Sequence, residues 1–266
     1  MTHLTPFSQY KLPGCHKVLV VEDVEMNQIL LKQIMESWGI EVAVAGNGRL
    51  ALEKLGEEKY DLILMDIQMP EMDGMEATRR IRRLQDKSKA SIPIVAVTAN
   101  LLKGDSEKYL AAGMNGYIAK PIEEKKLFIL LSGNFPAEID CQESDRIIPD
   151  PDNALYDLSL VKAISGGDEV FVKSMVMLFL ETVPIILDQM HSASNSNDWE
   201  LTSKLAHKLK STIDSMSIFQ LQDLIRKIEA DGKNGENVEQ IPAYVRQLHK
   251  GMQECIAQVK GDFGLS

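Results

Sequence analysis

Five short apolar runs, each followed by a helix-like stretch, limit what the first half of this chain can fold into. They are Val18-Leu19-Val20-Val21, Val42-Ala43-Val44-Ala45, Leu62-Ile63-Leu64-Met65, Ile94-Val95-Ala96-Val97 and Tyr117-Ile118-Ala119. Near-continuous apolar strands bury both faces, so both faces need cover. Helical patterns from about Asn27 to Trp38, Arg49 to Leu55, Met75 to Leu84 and Leu101 to Ala112, with a last one ending near Leu131, supply that cover. Alternation of this kind predicts an α/β fold, a parallel sheet with helices on both faces.

A parallel sheet of this type binds ligands beyond the carboxyl ends of its strands. The residues that follow the apolar runs are therefore the candidate site. Glu22 and Asp23 follow the first run, Asp66 the third, Thr98 the fourth and Lys120 the fifth. Clustered carboxylates repel one another unless a cation lies among them. Hard oxygen ligands suit Mg²⁺, which also binds phosphate oxygens. A carboxylate can attack phosphorus and form an aspartyl phosphate, with Lys120 neutralising the phosphoryl oxygens and Thr98 donating a hydrogen bond to one of them.

Residues 133–156 break the alternation. Gly133, Pro136, Pro149 and Pro151 punctuate a stretch with six acids and one arginine, which reads as a linker. Beyond it the signals are helical. Leu158 to Ile164 is short. Asp168 caps a helix from Glu169 to about His191 that contains Pro184, where a kink is expected. Ser196-Asn197-Asp198 begins a helix through Met216, Phe219 to Ala230 follows, Gly232 and Gly235 act as breakers, and a last helix runs from about Val238 to Val259. An up-down all-α helical bundle packs these most simply. The domain plan is thus an N-terminal tail (1–15), an α/β domain (16–132), the linker (133–156), a helical bundle (157–260) and a C-terminal tail (261–266).

Projecting Leu201 to Met216 as a helix gathers Leu201, Leu205, Leu209, Thr212, Ile213 and Met216 on one side and places His207 opposite. Lys210 lies one turn on, where an ammonium would steady a phosphoryl group on the imidazole. Ser203 and Ser211 are small enough to admit a partner. The other histidines, His3, His16, His191 and His249, show no metal-binding spacing.

Bulk properties narrow the function classes. The net charge of -10 falls mostly after residue 132, where 12 Lys+Arg face 21 Asp+Glu, which argues against nucleic acid as a partner there. Arg79-Arg80-Ile81-Arg82-Arg83 reads as a solvated helix face. Three scattered cysteines offer no disulfide framework, and no uninterrupted apolar run reaches the ~18 residues of a membrane span, so a cytoplasmic protein is expected. The 13 methionines sit mostly in apolar helical runs and are expected to fill cores.

Val18-Leu19-Val20-Val21-Glu22-Asp23, Met65-Asp66-Ile67-Gln68-Met69-Pro70-Glu71-Met72-Asp73-Gly74, Val97-Thr98-Ala99-Asn100 and Tyr117-Ile118-Ala119-Lys120-Pro121 resemble the response-regulator receiver domain over about residues 16–132. The resemblance implies a doubly wound five-stranded sheet of order 2-1-3-4-5. It also implies Asp66 as phosphoacceptor. Mg²⁺ would be held by Asp23, Asp66 and the Gln68 backbone carbonyl, with Glu22 assisting through water. Thr98 and Tyr117 would form a switch pair, and a partner would dock over Met26, Asn27, Leu30 and Ile122. Ala206-His207-Lys208-Leu209-Lys210-Ser211 is similar to the histidine phosphotransfer domain, over about residues 157–260, with His207 as phosphoacceptor. That family commonly has Gly where Ser211 stands.

Together the resemblances imply an intermediate of a His–Asp phosphorelay, fed by a histidine kinase or another phosphohistidine and exchanging phosphate with a receiver. No ATP-binding module is discernible, so the chain would not itself be a kinase. Three alternatives stand beside this one. A haloacid-dehalogenase-type hydrolase carries a second Asp where Gln68 stands here. A non-catalytic interaction module would leave the sites idle. The chain would otherwise be the C-terminal part of a hybrid histidine kinase.

Overall fold

The computed structural model describes residues 17–98, 105–120, 122–131 and 155–265. The motif residues Ala99, Asn100 and Pro121, the N-terminal tail and nearly all of the 133–156 linker lie outside these residues. The chain divides into two compact units, Met1–Arg146 and Ile147–Ser266.

The first unit alternates β1 (Lys17–Val21), α1 (Glu25–Ser37), β2 (Glu41–Ala45), α2 (Gly48–Glu57), β3 (Leu62–Asp66), α3 (Gly74–Arg82), α4 (Lys87–Ala90), β4 (Ile94–Thr98), α5 (Asp105–Ala112), β5 (Gly116–Ala119) and α6 (Glu124–Leu131). The described strands form one sheet of order β2-β1-β3-β4-β5, parallel at every pairing. Burial follows position in the sheet. β3 and β4 are buried throughout, whereas the edge strands β2 and β5 are partly exposed. Because side chains alternate along a strand, Leu19, Val21, Ile63, Met65, Ile94 and Ala96 share one core with Ala51, Leu55, Ala77, Ile81 and Tyr109 from α2, α3 and α5. Elsewhere Trp38, closing α1, meets Phe128 of α6 edge-on at 5.4 Å.

Two local expectations change. The turn α4, capped by the Asp86 side chain, has no apolar period and was not anticipated. Arg82 does not belong to a solvated face. Its guanidinium donates to the carbonyls of Gly113, Ala90 and Ile92 at 2.7–2.8 Å and to Asn115 Oδ1 at 2.9 Å. Five fixed donors let one arginine tie down the turns before β4 and β5. Arg79 and Arg80 do face out, against Glu76.

The second unit comprises α7 (Ser159–Ile164), α8 (Glu169–Asn195), α9 (Trp199–Ser215), α10 (Phe219–Asn234), a 3-10 turn (Val238–Gln240) and α11 (Ile241–Asp262). α8 packs on α9, α9 on α10, α10 on α11, and α11 returns to α8, which closes a four-helix bundle with α7 against α8. Asp168 and Asp198 cap α8 and α9 with their carboxylates, as acceptors for orphan N–H groups. Phe179, Val183, Leu209, Ile213, Ile225, Leu248 and Met252 fill the centre. Met35, Met65, Met175, Met190, Met216 and Met252 are all fully buried, in line with core filling. Cys255 is buried as well, which pushes its thiol up to about 12 and leaves it inert.

Gly232, expected as a breaker, lies inside α10. A Cβ there would stand 2.9 Å from the Trp199 carbonyl oxygen and 3.1 Å from Ser203 Cβ, so this glycine serves the close approach of α10 to α9. α8 runs on through Pro184. It is also long and apolar enough to cross a membrane by length and composition alone, with a mean hydropathy of 2.0 in one 18-residue window. Lys173, Glu181 and Asp188 interrupt its apolar residues, so no unbroken apolar run marks it in the sequence. Val172, Met175, Val176, Phe179, Val183, Leu187 and Met190 form its buried face.

Candidate functional site

The carboxyl ends of β1, β3, β4 and β5 bring the predicted residues together. Asp66 pairs in register with Val97, so Thr98 lies one residue further along the same edge. The Lys120 backbone N–H then donates to the Thr98 carbonyl at 2.7 Å, which carries Lys120 back over that edge. Its ammonium reaches Asp66 Oδ2 at 2.5 Å and Glu22 Oε2 at 2.7 Å. Asp66 Oδ1 accepts from the Gln68 N–H at 3.1 Å. Glu22 Oε1 accepts from Asn27 Nδ2 at 2.8 Å.

Glu22, Asp23 and Asp66 each offer an oxygen within 4.8 Å of the others. Glu22 and Asp66 are 1% and 2% exposed, so water screens them little. Burial, then the Asp66 charge, push the Glu22 carboxyl up to about 8 despite Lys120 and Asn27. Burial would lower the Lys120 ammonium, but Glu22 and Asp66 outweigh it and hold it charged. The three carboxyl groups outnumber the one ammonium, and a divalent cation, which would also favour the ionised form of Glu22, fits that donor set.

Backbone packing fixes Asp66 from below. Gly74 opens α3, its N–H donates to the Ile67 carbonyl at 3.1 Å, and a Cβ on it would stand 2.0 Å from the Asp66 carbonyl oxygen. Gly74→Ala is expected to displace Asp66 and to destabilise the first unit by roughly 1–3 kcal/mol, the usual cost of overpacking. Urea unfolding checks the stability, and a variant as stable as the parent would contradict this packing.

Thr98 and Tyr117 were the expected switch pair. The Thr98 hydroxyl lies 3.1 Å from the hydroxyl of Tyr109 on α5, and the Tyr109 and Tyr117 rings sit with centroids 6.4 Å apart. Tyr109 was missed because only its helix, not its facing, was legible. Among the docking candidates, Met26 and Leu30 are buried, while Asn27 and Ile122 are half-buried.

The second site lies where α9 meets α10. His207 Nδ1 is 2.5 Å from Glu229 Oε1, and Lys210 Nζ is 2.5 Å from Glu229 Oε2. The side chains of His207, Lys210 and Glu229 are 12%, 4% and 14% exposed. Lys210 is therefore not on an open face beside the imidazole: α10 covers the edge of α9 on which a one-helix projection placed it. Ser203 and Ser211 are buried too, and the Ser203 hydroxyl donates to the Glu229 carbonyl. Burial alone would raise the Glu229 carboxyl, but the His207 hydrogen bond and the Lys210 ammonium hold it down at about 2. An ionised carboxylate only accepts, so the Nδ1 facing it carries the proton, and in the neutral ring the lone pair is on Nε2.

The response regulator receiver domain family matches residues 18–132, and the Hpt domain family matches residues 174–261. The chain carries a receiver domain followed by a histidine phosphotransfer (Hpt) domain. It is similar to the signal transduction histidine-protein kinase BarA of Escherichia coli (strain K12), at 30% identity over 87% of this chain and 25% of that one. It is likewise similar to the aerobic respiration control sensor protein ArcB of that strain, at 30% identity over 80% of this chain and 27% of that one. The chain thus spans about a quarter of the length of these curated relatives. The receiver domain of sensor histidine kinase PA1611 from Pseudomonas aeruginosa PAO1 matches at 38% identity over 45% of this chain and 97% of that one, with a TM-score of 0.42. Within the Hpt domain, Glu229 is the residue that sequence reasoning missed. Its only signal is an acid on α10 beside the buried Ile225 and Ile228.

Proposed function

We propose that this chain passes phosphoryl groups between aspartate and histidine in a phosphorelay. Asp66 would take the group from a phosphohistidine: its carboxylate oxygen attacks phosphorus, the P–N bond breaks, and the leaving imidazole keeps the electron pair. Asp23, Asp66 and the Gln68 carbonyl would hold Mg²⁺, with Glu22 acting through water. Bound there, the cation supplies charge neutralisation for the phosphoryl oxygens. Lys120 adds a second positive charge, and Thr98 a hydroxyl donor, on the same edge.

His207 would exchange the group with a receiver, its own or a partner's. Nε2 attacks the phosphorus of an aspartyl phosphate, the O–P bond breaks, and a carboxylate leaves. The carboxylate of Glu229 then faces the positive charge that forms on the ring. Lys210 would hold Glu229 ionised and in place rather than touch the phosphoryl group. A partner's docking would involve Asn27 and Ile122, the two half-buried candidates. The donors would be histidine kinases or other phosphohistidine proteins on the cytoplasmic side.

The observation that carries this reading is Asp66 held by Lys120 inside the Glu22–Asp23–Asp66 cluster. A second reading, in which the two domains form part of a hybrid histidine kinase, is favoured by the names and lengths of the relatives and leaves the chemistry unchanged.

The test is Mg²⁺-dependent labelling with acetyl phosphate for Asp66, and with a phosphorylated receiver for His207. Aspartyl phosphate is labile to base and phosphohistidine to acid. Both kinds of label are expected, and a chain that takes up neither is no phosphorelay protein.

A further inference from the structure

Thr98 and Tyr109 are each 5% exposed, and their hydroxyl oxygens are 3.1 Å apart. Either can be the donor. Which one donates matters, because the Thr98 hydroxyl carries a single hydrogen and two acceptor lone pairs. If that hydrogen goes to Tyr109, none is left for a phosphoryl oxygen on Asp66. If Tyr109 donates instead, Thr98 accepts on a lone pair and its own hydrogen can turn toward a phosphoryl oxygen at the strand edge, where Asp66 and Lys120 stand.

We infer that Tyr109 is a positioning residue of the receiver site: its hydroxyl donates to Thr98 and so directs the Thr98 hydrogen at the phosphoryl group on Asp66. This rests on the phosphoacceptor role proposed for Asp66 and adds a residue on α5 to it. The geometry favours this direction once phosphate is present. A phosphoryl oxygen is a strong acceptor and claims the Thr98 hydrogen, after which the buried Tyr109 hydroxyl keeps its partner only as a donor. Two hydroxyls in series also polarise one another, so each bond strengthens the next.

The chain of bonds runs from the phosphoryl site into a helix. Tyr109 is in the core that joins α5 to β1, β3 and β4, and its ring lies beside that of Tyr117 on β5. A change at Asp66 therefore reaches α5 through a side chain fixed at both ends, and Tyr117 takes part by packing against Tyr109.

The experiment uses the full chain, with Mg²⁺ and acetyl phosphate, and compares wild type, Tyr109→Phe, Thr98→Val and the double variant. Tyr109→Phe keeps the ring and removes only the hydroxyl. It is expected to slow base-labile labelling by about threefold to tenfold, the usual worth of one neutral hydrogen bond. The same substitution in the Thr98→Val background is expected to change nothing further, since its target is gone. A structural role would slow both backgrounds alike, and that additive result would overturn the inference, as would an unchanged rate in Tyr109→Phe. Thermal unfolding of each variant accompanies the rates, and the cycle is read as rate ratios within each background. If wild type itself takes no label, or Asp66→Ala takes as much, the proposed function fails. If wild type labels at Asp66 and the cycle is additive, only the role of Tyr109 fails.

Discussion

Lys120→Ala is expected to slow phosphorylation of Asp66 by about 10²–10³-fold, as removal of one preorganised charge-stabilising donor generally does, and Asp66→Ala is expected to abolish base-labile label. The argument is electrostatic. The ammonium spans Asp66 and Glu22 at 2.5 and 2.7 Å, and its side chain is only 10% exposed. A phosphoryl group arriving at Asp66 brings further negative charge into a pocket that already holds three clustered carboxyl groups. Among the described residues Lys120 is the cation that pairs with Asp66 and Glu22, so without it that charge loses its partner. Lys120→Arg restores the charge but not the fit, because a planar guanidinium cannot occupy the place of a compact ammonium between two carboxylates. Its rate should fall between those of wild type and Lys120→Ala. The same substitutions have a signature without any phosphodonor. Lys120→Ala leaves the carboxylates to repel one another, so its thermal stability should fall and recover with added Mg²⁺ more than that of wild type. A labelling rate for Lys120→Ala within threefold of wild type would contradict this account of the site.

The receiver site was legible because topology does the positioning. In a parallel sheet every strand ends on the same edge, so reading the residue after each apolar run finds Glu22, Asp23, Asp66, Thr98 and Lys120 without knowing any distance. What that rule cannot supply is what faces the edge from a helix. Tyr109 lies 11 residues beyond Thr98, and its contact depends on the rotation of α5 about its axis. Glu229 lies 22 residues beyond His207 and depends on how α10 seats against α9. Helix phases of this kind are set by packing, which Gly232 shows: it looks like a stop signal and is instead the point of close approach between these helices. Arg82 is a similar case, since a charge run marks a helix surface but not which of its members finds buried carbonyls. The pattern also located α8, α9, α10 and α11 while misjudging their ends by a few residues, because ends depend on caps such as Asp198 more than on apolar period.

His207→Gln should remove all acid-labile label, and Glu229→Gln should cut the rate of transfer to His207 by on the order of 10- to 100-fold, as loss of an orienting partner of an active histidine does. A carboxylate fixes one tautomer, with the proton on Nδ1 and the lone pair on Nε2. The amide of Gln is ambiguous: its oxygen accepts from Nδ1–H, but its NH₂ donates to a bare Nδ1 and then leaves the proton on Nε2, where no attack can occur. Glu229→Gln also takes from Lys210, which is 4% exposed, the carboxylate that it contacts at 2.5 Å. An unpaired buried ammonium costs about 3–5 kcal/mol, so the single variant should lose stability as well as rate. Glu229→Gln with Lys210→Met removes both charges together and should regain much of the stability without regaining the rate, which separates orientation from folding.

The pH dependence follows from the same carboxylate. Its folded pKa is about 2 against an ordinary 4.5, so the stability it contributes is fully present above about pH 4.5. That contribution is lost as pH falls from there toward 2, and it amounts to no more than about 3 kcal/mol for a shift of this size. Urea unfolding of the wild type between pH 5 and pH 2 should therefore show an acid-sensitive loss that the double variant largely lacks, because the double variant has no charge pair to lose. Equal acid sensitivity in both proteins would mean that Glu229 is not held ionised by His207 and Lys210. The tautomer argument for Nε2 as the attacking atom would fall with it.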